Sequence, residues 1–427
     1  MFNQKLLLSA EYLFDLKPLK NYRLLFSPID SFQFPYTNAP TGRPLIPRQS
    51  LLKALIFKNL RGLSNLSDLV SELSDNPSLS LLCGFDPQKP LPTTETFSAF
   101  LKDSPNKFFQ SVREYLLFEL VKINQIKAKY LSVDSCPIKA NVKENNLKAT
   151  VSDRFNKHRP PKGDPDARVG VIVTYPKSNK PKIEYFWGYR NFVVSDALTE
   201  LPVAEITKPA NLHDSQCFIP LFSFIKDHLH ILPKGVIADS AFDSQAILRF
   251  IIDELKAKPY IFRNPAHKQS AFPLSSKGNR ICIAGLEMLP WGKFKDHNRN
   301  SVRLKFVCPI LNSKKFAKHI SVCPVMHPSF MNSKGCTAYL RLDEDIRDSI
   351  NYDSPHFKKI YNLRTGSERI FSRLLSICMQ NPSIKGLNTT ANHVTIAHIT
   401  ALLVALTAVK TNNKNKIRFI KSLVKEL

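Results

Sequence analysis

What the chain lacks narrows its function first. No signal peptide is read at its start: Met1-Phe-Asn-Gln-Lys5 leads into a mixed segment with Glu11 and Asp15, not into a basic start and an apolar core. No run is long enough to span a membrane. The most apolar stretch, residues 394–409, contains His398 and falls short of the ~20 residues a span needs, so it reads as a buried helix. No basic amphipathic helix stands out as a membrane-surface anchor, and no membrane partner is expected. The 8 Cys of the 427 residues include no C-x2-C pair, and without an export signal they do not suggest a disulfide framework. The chain has no internal repeat and no His or Cys arrangement suited to nucleophilic catalysis.

Acidic residues are scarce as well. Asp and Glu number 35 against 61 Lys and Arg, for a net charge of +26. One reading is a basic protein kept soluble by its charge. The excess is large and spread along the whole chain, so the preferred reading is a long surface that tracks phosphates on a nucleic acid.

Residues 1–125 read as mostly helical, with apolar periodicity from Leu51, Asn65, Thr94 and Asn106. Short helices joined by tight turns suit a helix-turn-helix-like DNA module and suit a plain helical bundle equally well. From residue 128 strand-like runs appear at 130–133, 169–175, 183–189 and 201–208. A helix follows over 214–230, with Asp214 as its cap, then a strand at 236–238, a helix over 244–257 and a strand at 259–263. The polar stretch 141–166 reads as a loop, either closing over substrate or an ordinary surface excursion. This order predicts an α/β fold: a ribonuclease-H-like mixed sheet flanked by helices, behind an all-helical N-terminal domain. Residues 266–355 interrupt the pattern, and helical periodicity returns only at Phe357. The expected division is a helical, DNA-binding region 1–125, a catalytic domain of 126–265 and 356–427, and an insertion at 266–355 before the last catalytic helix.

Three carboxylates stand out against this background. Asp134 ends the run Tyr130-Leu-Ser-Val133, and Asp239 ends Val236-Ile-Ala238. Glu368 lies in Tyr361-Asn-Leu-Arg364-Thr-Gly-Ser-Glu368, on a helix expected over 357–379, where Tyr361, Arg364 and Glu368 share one face. Asp243 is read as the cap of the next helix, with a ligand role as the minority reading. Arg364 and Glu368 at this spacing could be a simple surface pair. Two strand-end Asp and a helical Glu also make an open set of hard oxygens, which suits a divalent metal acting on a phosphodiester.

The chain resembles the DDE transposases of bacterial insertion sequences. The resemblance rests on Asp134 in VDSCPIKAN, on Gly188-Tyr-Arg-Asn-Phe with Pro209-Ala-Asn-Leu-His-Asp214, on Asp239 in GVIADSAFDS, and on YNLRTGSERIF, which is similar to the family's Tyr-x2-Arg-x3-Glu signature. Gly42-Arg-Pro-Leu-Ile-Pro, Leu82-Cys-Gly-Phe and Thr96-Phe-Ser-Ala-Phe resemble the helical domain that precedes the core in these enzymes. The resemblance implies that Asp134, Asp239 and Glu368 are the acidic triad and hold two Mg²⁺ or Mn²⁺ ions. One would activate water and later a DNA 3′-hydroxyl, and the other would stabilise the leaving oxygen. It implies cleavage at element ends and strand transfer into target DNA. It also implies terminal inverted repeats and target DNA as partners, a homodimer assembled on DNA, and a bacterial cytoplasmic, nucleoid-associated location. A nuclease that does not join ends and a non-catalytic DNA-binding descendant are the alternatives. Tyr361, Arg364, Arg369 and Lys139 are the expected DNA contacts. One departure is Leu375, where the family often has Lys seven residues after the Glu; Arg369 and Arg373 are the candidate substitutes.

Within 266–355, Cys282, Cys308, Cys323 and Cys336 suffice in number for a thiolate zinc site, but their spacing is irregular and free thiols are the alternative. Trp291 is read as core or as a platform for an unpaired base.

Overall fold

The apolar periodicity ahead of residue 125 becomes seven helices among the described residues. The structure is a computed structural model that describes residues 10–16, 19–34, 46–86, 88–174, 180–265, 272–297, 301–332, 334–380 and 382–423. The opening Met1 segment and most of the Gly42-Arg-Pro-Leu motif lie outside the described residues. The helices are α1 (Ala10–Asp15), α2 (Leu19–Asp30), α3 (Arg48–Arg61), α4 (Leu66–Asp75), α5 (Pro77–Cys83), α6 (Thr94–Asp103) and α7 (Asn106–Lys122). Gly62 and Gly84 end α3 and α5 at φ 69° and 94°, where a residue without Cβ closes the last turn.

The strands after residue 128 form one six-stranded mixed sheet. Strand β1 (Tyr130–Lys139) pairs antiparallel with β3 (Lys182–Asp196), which also pairs antiparallel with β2 (Arg168–Thr174) and β4 (Leu201–Pro209). After α8 (Asp214–Asp227), β5 (Gly235–Ala238) pairs parallel with β1. Helix α9 (Gln245–Arg249), extended by a π turn over Phe250–Glu254, leads to β6 (Lys258–Ile261), parallel to β5. This is the ribonuclease-H-like sheet flanked by helices, behind an all-helical region, that the order of elements predicts.

Three local expectations are corrected. β1 does not stop at Val133; it runs on to Lys139 because it is laddered against β3 along its whole length. Asp214 is not the cap of α8: the His213 ring accepts from the Ser215 amide at 3.3 Å, leaving the Asp214 carboxylate for other partners. Asp243 is not the cap of α9 either, since the Ser244 hydroxyl accepts from the Ile247 amide at 3.3 Å.

The chain forms two compact units, residues 1–261 with 354–427, and residues 262–353. The second is built on an antiparallel sheet of β7 (Leu289–Asp296), β8 (Ser301–Val307) and β9 (Thr337–Arg341), with short helices α10 (Pro309–Asn312), α11 (Lys314–Ala317) and α12 (Pro328–Met331). In the first unit the helix expected over 357–379 is broken. Helix α13 (Pro355–Tyr361) gives way to a 3-10 turn at Asn362–Arg364 before α14 (Thr365–Leu375).

The apolar stretch expected to fall short of a membrane span is part of a longer helix, α15 (Leu387–Lys410), which is long and apolar enough to cross one; almost all of it is buried inside the protein, as a buried helix requires. It packs against α3, α6, α7 and β4. Several of its polar residues find partners across the packed elements. Asn392 donates to the Leu101 and Ser104 carbonyls at 2.7 and 2.8 Å, Thr395 donates to Glu205 at 2.7 Å, and His398 Nε2 lies 2.9 Å from Asn191 Oδ1.

Gly188 sits where the sheet leaves no room for a side chain. It faces Lys139 on β1 and Arg168 on β2, and a Cβ there would stand 2.1 Å from the Ile138 carbonyl oxygen. Backbone cannot yield as a flexible side chain would. Gly188→Ala is expected to cost about 1–3 kcal/mol by overpacking, read as a lowered urea midpoint. An unchanged midpoint would remove this constraint on the β1–β3 spacing.

Candidate active site

The β1–β5 register runs Tyr130 to Gly235, Leu131 to Val236 and Ser132 to Ile237. Continued at the same offset, it sets Asp134 level with Asp239 on neighbouring parallel strands. Open α/β sheets bind ligands beyond the carboxyl ends of such strands. Asp239 caps the 3-10 turn Ser240–Phe242 by accepting from the Ala241 amide at 2.8 Å, so it has a local structural role besides its position at the strand end. Asp134 accepts from the Ser135 amide at 2.8 Å.

A third carboxylate belongs to this group. Asp214 accepts from the Ser135 hydroxyl at 3.1 Å and pairs with Arg190 at 3.4 Å. Burial pushes the Asp134 carboxyl up to about 6, and the charges of Asp239 and Asp214 add to this against the Ser135 amide and Arg364. Asp239 is raised for the same first reason, burial, with Asp214 adding to it. The sequence places Arg190 and Asp214 in the motifs that carry the resemblance, but gives Asp214 a capping role and Arg190 no role of its own. The usable signal was the neighbouring His213, which can itself cap the helix and so frees Asp214.

Arg364 supplies the counter-charge. Its guanidinium lies 3.8 Å from Asp134 and 3.0 Å from Glu368. Tyr361 touches Arg364 and stacks on Phe357 with the rings 7° from parallel. Burial raises the Tyr361 pKa, and Arg364 pulls against it. The structure thus brings Asp134, Asp239, Tyr361, Arg364 and Glu368 to one place. Glu368 is the most open of the acids, with 59% of its side chain exposed.

Helix α14 is seated by small residues and by charge. The Ser367 hydroxyl lies 2.8 Å from that of Ser132 on β1, and Gly366 lies against Glu200, with no side chain of its own to keep the helix off. Glu200 is buried, yet Arg369 and Arg373 of α14 each reach it at 2.6 Å, and Arg418 reaches it at 3.1 Å. Burial alone would raise the Glu200 pKa, but these arginines outweigh it and lower it. Arg369, expected at DNA, is therefore engaged in holding the helix. Lys139, at the far end of β1, pairs with Glu184 at 2.6 Å.

The remaining expected site residues lie in the second unit. Trp291 is on β7 with 61% of its surface exposed, so it is not core. The four cysteines are buried in two apolar clusters, Cys282 and Cys336 with Met288 and Phe306, and Cys308 and Cys323 with Ile310. Burial raises the Cys336 pKa, and the other three thiols lie near enough to add to the effect. Among the described residues no group of three or more His, Cys, Asp or Glu is placed to hold a metal ion. That holds for the acidic site as well as for the thiols, which as they stand pack as apolar side chains. The acidic site has the hard oxygen donors that Mg²⁺ or Mn²⁺ prefers, and the crowding of Asp134, Asp239 and Asp214 is what a bound cation would relieve. Arg364 partly fills that role here.

Residues 11–103 match a family model described as a transposase domain (DUF772), and residues 162–404 match the transposase DDE domain, which alone spans more than half of the chain. The chain belongs to the DDE transposase family. Its second match includes Asp214, Asp239, Arg364 and Glu368, while Asp134 falls between the two matched segments. A solved structure of a piggyBac transposase synaptic complex with hairpin DNA is 13% identical, covering 96% of this chain and 81% of that one at a TM-score of 0.34. No curated protein matches the chain.

Two measurements test the electrostatics. A carboxylate whose folded pKa lies above its unfolded value costs stability once ionised. For Asp134 that cost sets in above pH ~4 and is complete above about 6. Without divalent cation, Asp134→Asn should therefore be more stable than wild type at pH 7.5, by on the order of 1–3 kcal/mol, with the gain vanishing toward pH 4. A less stable variant at pH 7.5 would contradict this. Glu200→Gln leaves three arginines without their shared partner and should lower stability by about 3 kcal/mol in urea unfolding.

Proposed function

We propose that this chain is an insertion-sequence transposase that cuts the DNA ends of its element and joins a 3′-hydroxyl to target DNA. The observation that carries the reading is the meeting of Asp134 and Asp239 on adjacent parallel strands with Arg364 and Glu368 beside them. Membership of the DDE family and a net charge of +26 support it. Asp134, Asp239 and Glu368 would hold Mg²⁺ or Mn²⁺. A divalent cation so held neutralises charge at a phosphodiester and activates an oxygen nucleophile.

The chain's own residues prepare the site. Arg364 presents a planar fork suited to two phosphate oxygens. In this reading the scissile phosphate replaces Glu368 as its partner, which releases Glu368 toward Asp134 and Asp239. Tyr361, against Arg364, limits the directions that fork can take. Arg369, Arg373 and Glu200 keep α14 from drifting while this exchange occurs. The substrate partners are the element's terminal repeats and target DNA, the working form is a dimer assembled on DNA, and the setting is the bacterial nucleoid.

The test is incubation of the protein with labelled element ends, target DNA and Mg²⁺, followed by sizing of the products. Cut and joined products are expected. Cut ends without joined products would leave a nuclease, and binding without cutting would leave a DNA-binding descendant. Asp134→Asn, Asp239→Asn and Glu368→Gln should each lower cleavage at least 1000-fold while leaving DNA affinity within a few-fold. Full activity in any of them removes that residue from the triad.

A further inference from the structure

The loop between β1 and β2, expected as either a cover or an excursion, is a built feature with a cavity of its own. Asn145 fastens it to the sheet, donating to the Ala140 and Trp187 carbonyls at 2.8 Å each and accepting from the Trp187 amide at 2.8 Å. The indole of the buried Trp187 donates to the Arg154 carbonyl at 2.7 Å. The Arg154 guanidinium is used within the loop, binding the carbonyls of Glu144, Asn146 and Ala149. Asp164 and Asp166 tie the loop's end to the start of α15 through the amides of Gly386 and Leu387, both at 3.1 Å.

The loop and Lys385 line a half-open recess of about 490 Å³. Lys143, Arg159, Lys162 and Lys385 line it, and the described residues offer none of these four side chains an ion pair. Lys385 Nζ lies over Gly163, 3.7 Å from where a Cβ would stand. Glu144 and Asp153 are the two carboxylates on the wall, against five cations when Arg154 is counted. Lys139, where β1 leaves the sheet for this loop, is about 17 Å along the strand from Asp134, so the cavity is separate from the acidic site.

We propose that this cavity takes one nucleotide of a single DNA strand, gripped through its phosphate. The reading rests on the transposase function proposed above. Cations left without partners around a recess select an anion. A recess of this size falls in the range of about 300–1,000 Å³ that encloses small organic ligands, more than a lone phosphate fills. A duplex is too wide to enter, whereas an unpaired nucleotide fits, and single strands are held in general by a positively charged channel. Val142, Val151 and Pro160 supply apolar wall for the sugar or base.

The experiment measures binding of the full chain to a fluorescent oligothymidine and to a blunt duplex, in EDTA so that the acidic site takes no part. Arg159→Ala with Lys162→Ala, and Lys385→Gln as a second variant, remove charge. Ser152→Phe fills the recess and leaves every charge in place. A control pair, Lys314→Ala with Lys315→Ala, removes equal charge in the other unit. The expected result is a 10-fold or greater loss of oligothymidine affinity in the double cavity variant. Lys385→Gln and Ser152→Phe should each lose at least 3-fold, the control pair less than 3-fold, and duplex binding should change little in all. The salt slope of the double cavity variant should fall by about 0.7 for each phosphate that it no longer neutralises. Wild-type affinity in Ser152→Phe would overturn the proposal, since charge alone would then explain the effect. Equal losses in the control pair, or equal losses for duplex, would overturn it too. Failure of the transposase reading looks different: no cutting of element ends in Mg²⁺, with the oligothymidine pattern unchanged.

Discussion

Glu205 is the buried carboxyl group on which the larger unit turns. Almost no solvent reaches it, so its oxygens depend on hydrogen bonds from the protein. Those come from three other elements: Gln110 on α7 at 2.5 Å, Thr395 on α15 at 2.7 Å and Asn191 on β3 at 2.6 Å. Gln110 is in turn held by the fully buried Arg113, which also donates to the Val203 carbonyl of β4 at 2.6 Å. Separating the helical region from the sheet would strip these groups of their partners. The two are compact together because their polar interiors are shared.

The same logic recurs nearer the candidate site, with opposite signs. Glu200 is one acid among three arginines; Arg364 is one base among several acids. The first arrangement is closed, since Glu200 is buried and every oxygen is engaged. The second is open to solvent on the Glu368 side. A rigid mount beside an exchangeable pair lets a helix hold its position while one of its side chains changes partner.

The sequence made the sheet legible because strand ends and helix starts leave local marks. Asp134 and Asp239 could be picked out because each follows an apolar run, and Tyr361, Arg364 and Glu368 because helical spacing groups them. What escaped was set by distant pairing. β1 continues past Asp134 only because β3, far along the chain, offers it a partner, from Ser135 opposite Phe192 to Lys139 opposite Gly188. The break between α13 and α14 has no Pro or Gly at residues 362–364 to announce it. Asp214 reads locally as a helix cap and joins the acids only when β1 brings Ser135 to it. The polar residues of α15 sit in an apolar run, and nothing in that run tells which helices and strands will satisfy them.

The place where the second unit interrupts the first has a bearing on how such chains can change. The larger unit's chain departs after Ile261, the end of β6, and resumes at Ser354, the cap of α13. Those two points are already neighbours: Tyr260 is 3.1 Å from His356, and its ring is 5.6 Å from that of Phe357. The entropy of closing a loop grows only slowly with its length, so a short turn and a whole folded body cost the host similar amounts at such a junction. The insertion point is therefore a place where lineages could lengthen, shorten or exchange material while the sheet and its carboxylates keep their positions.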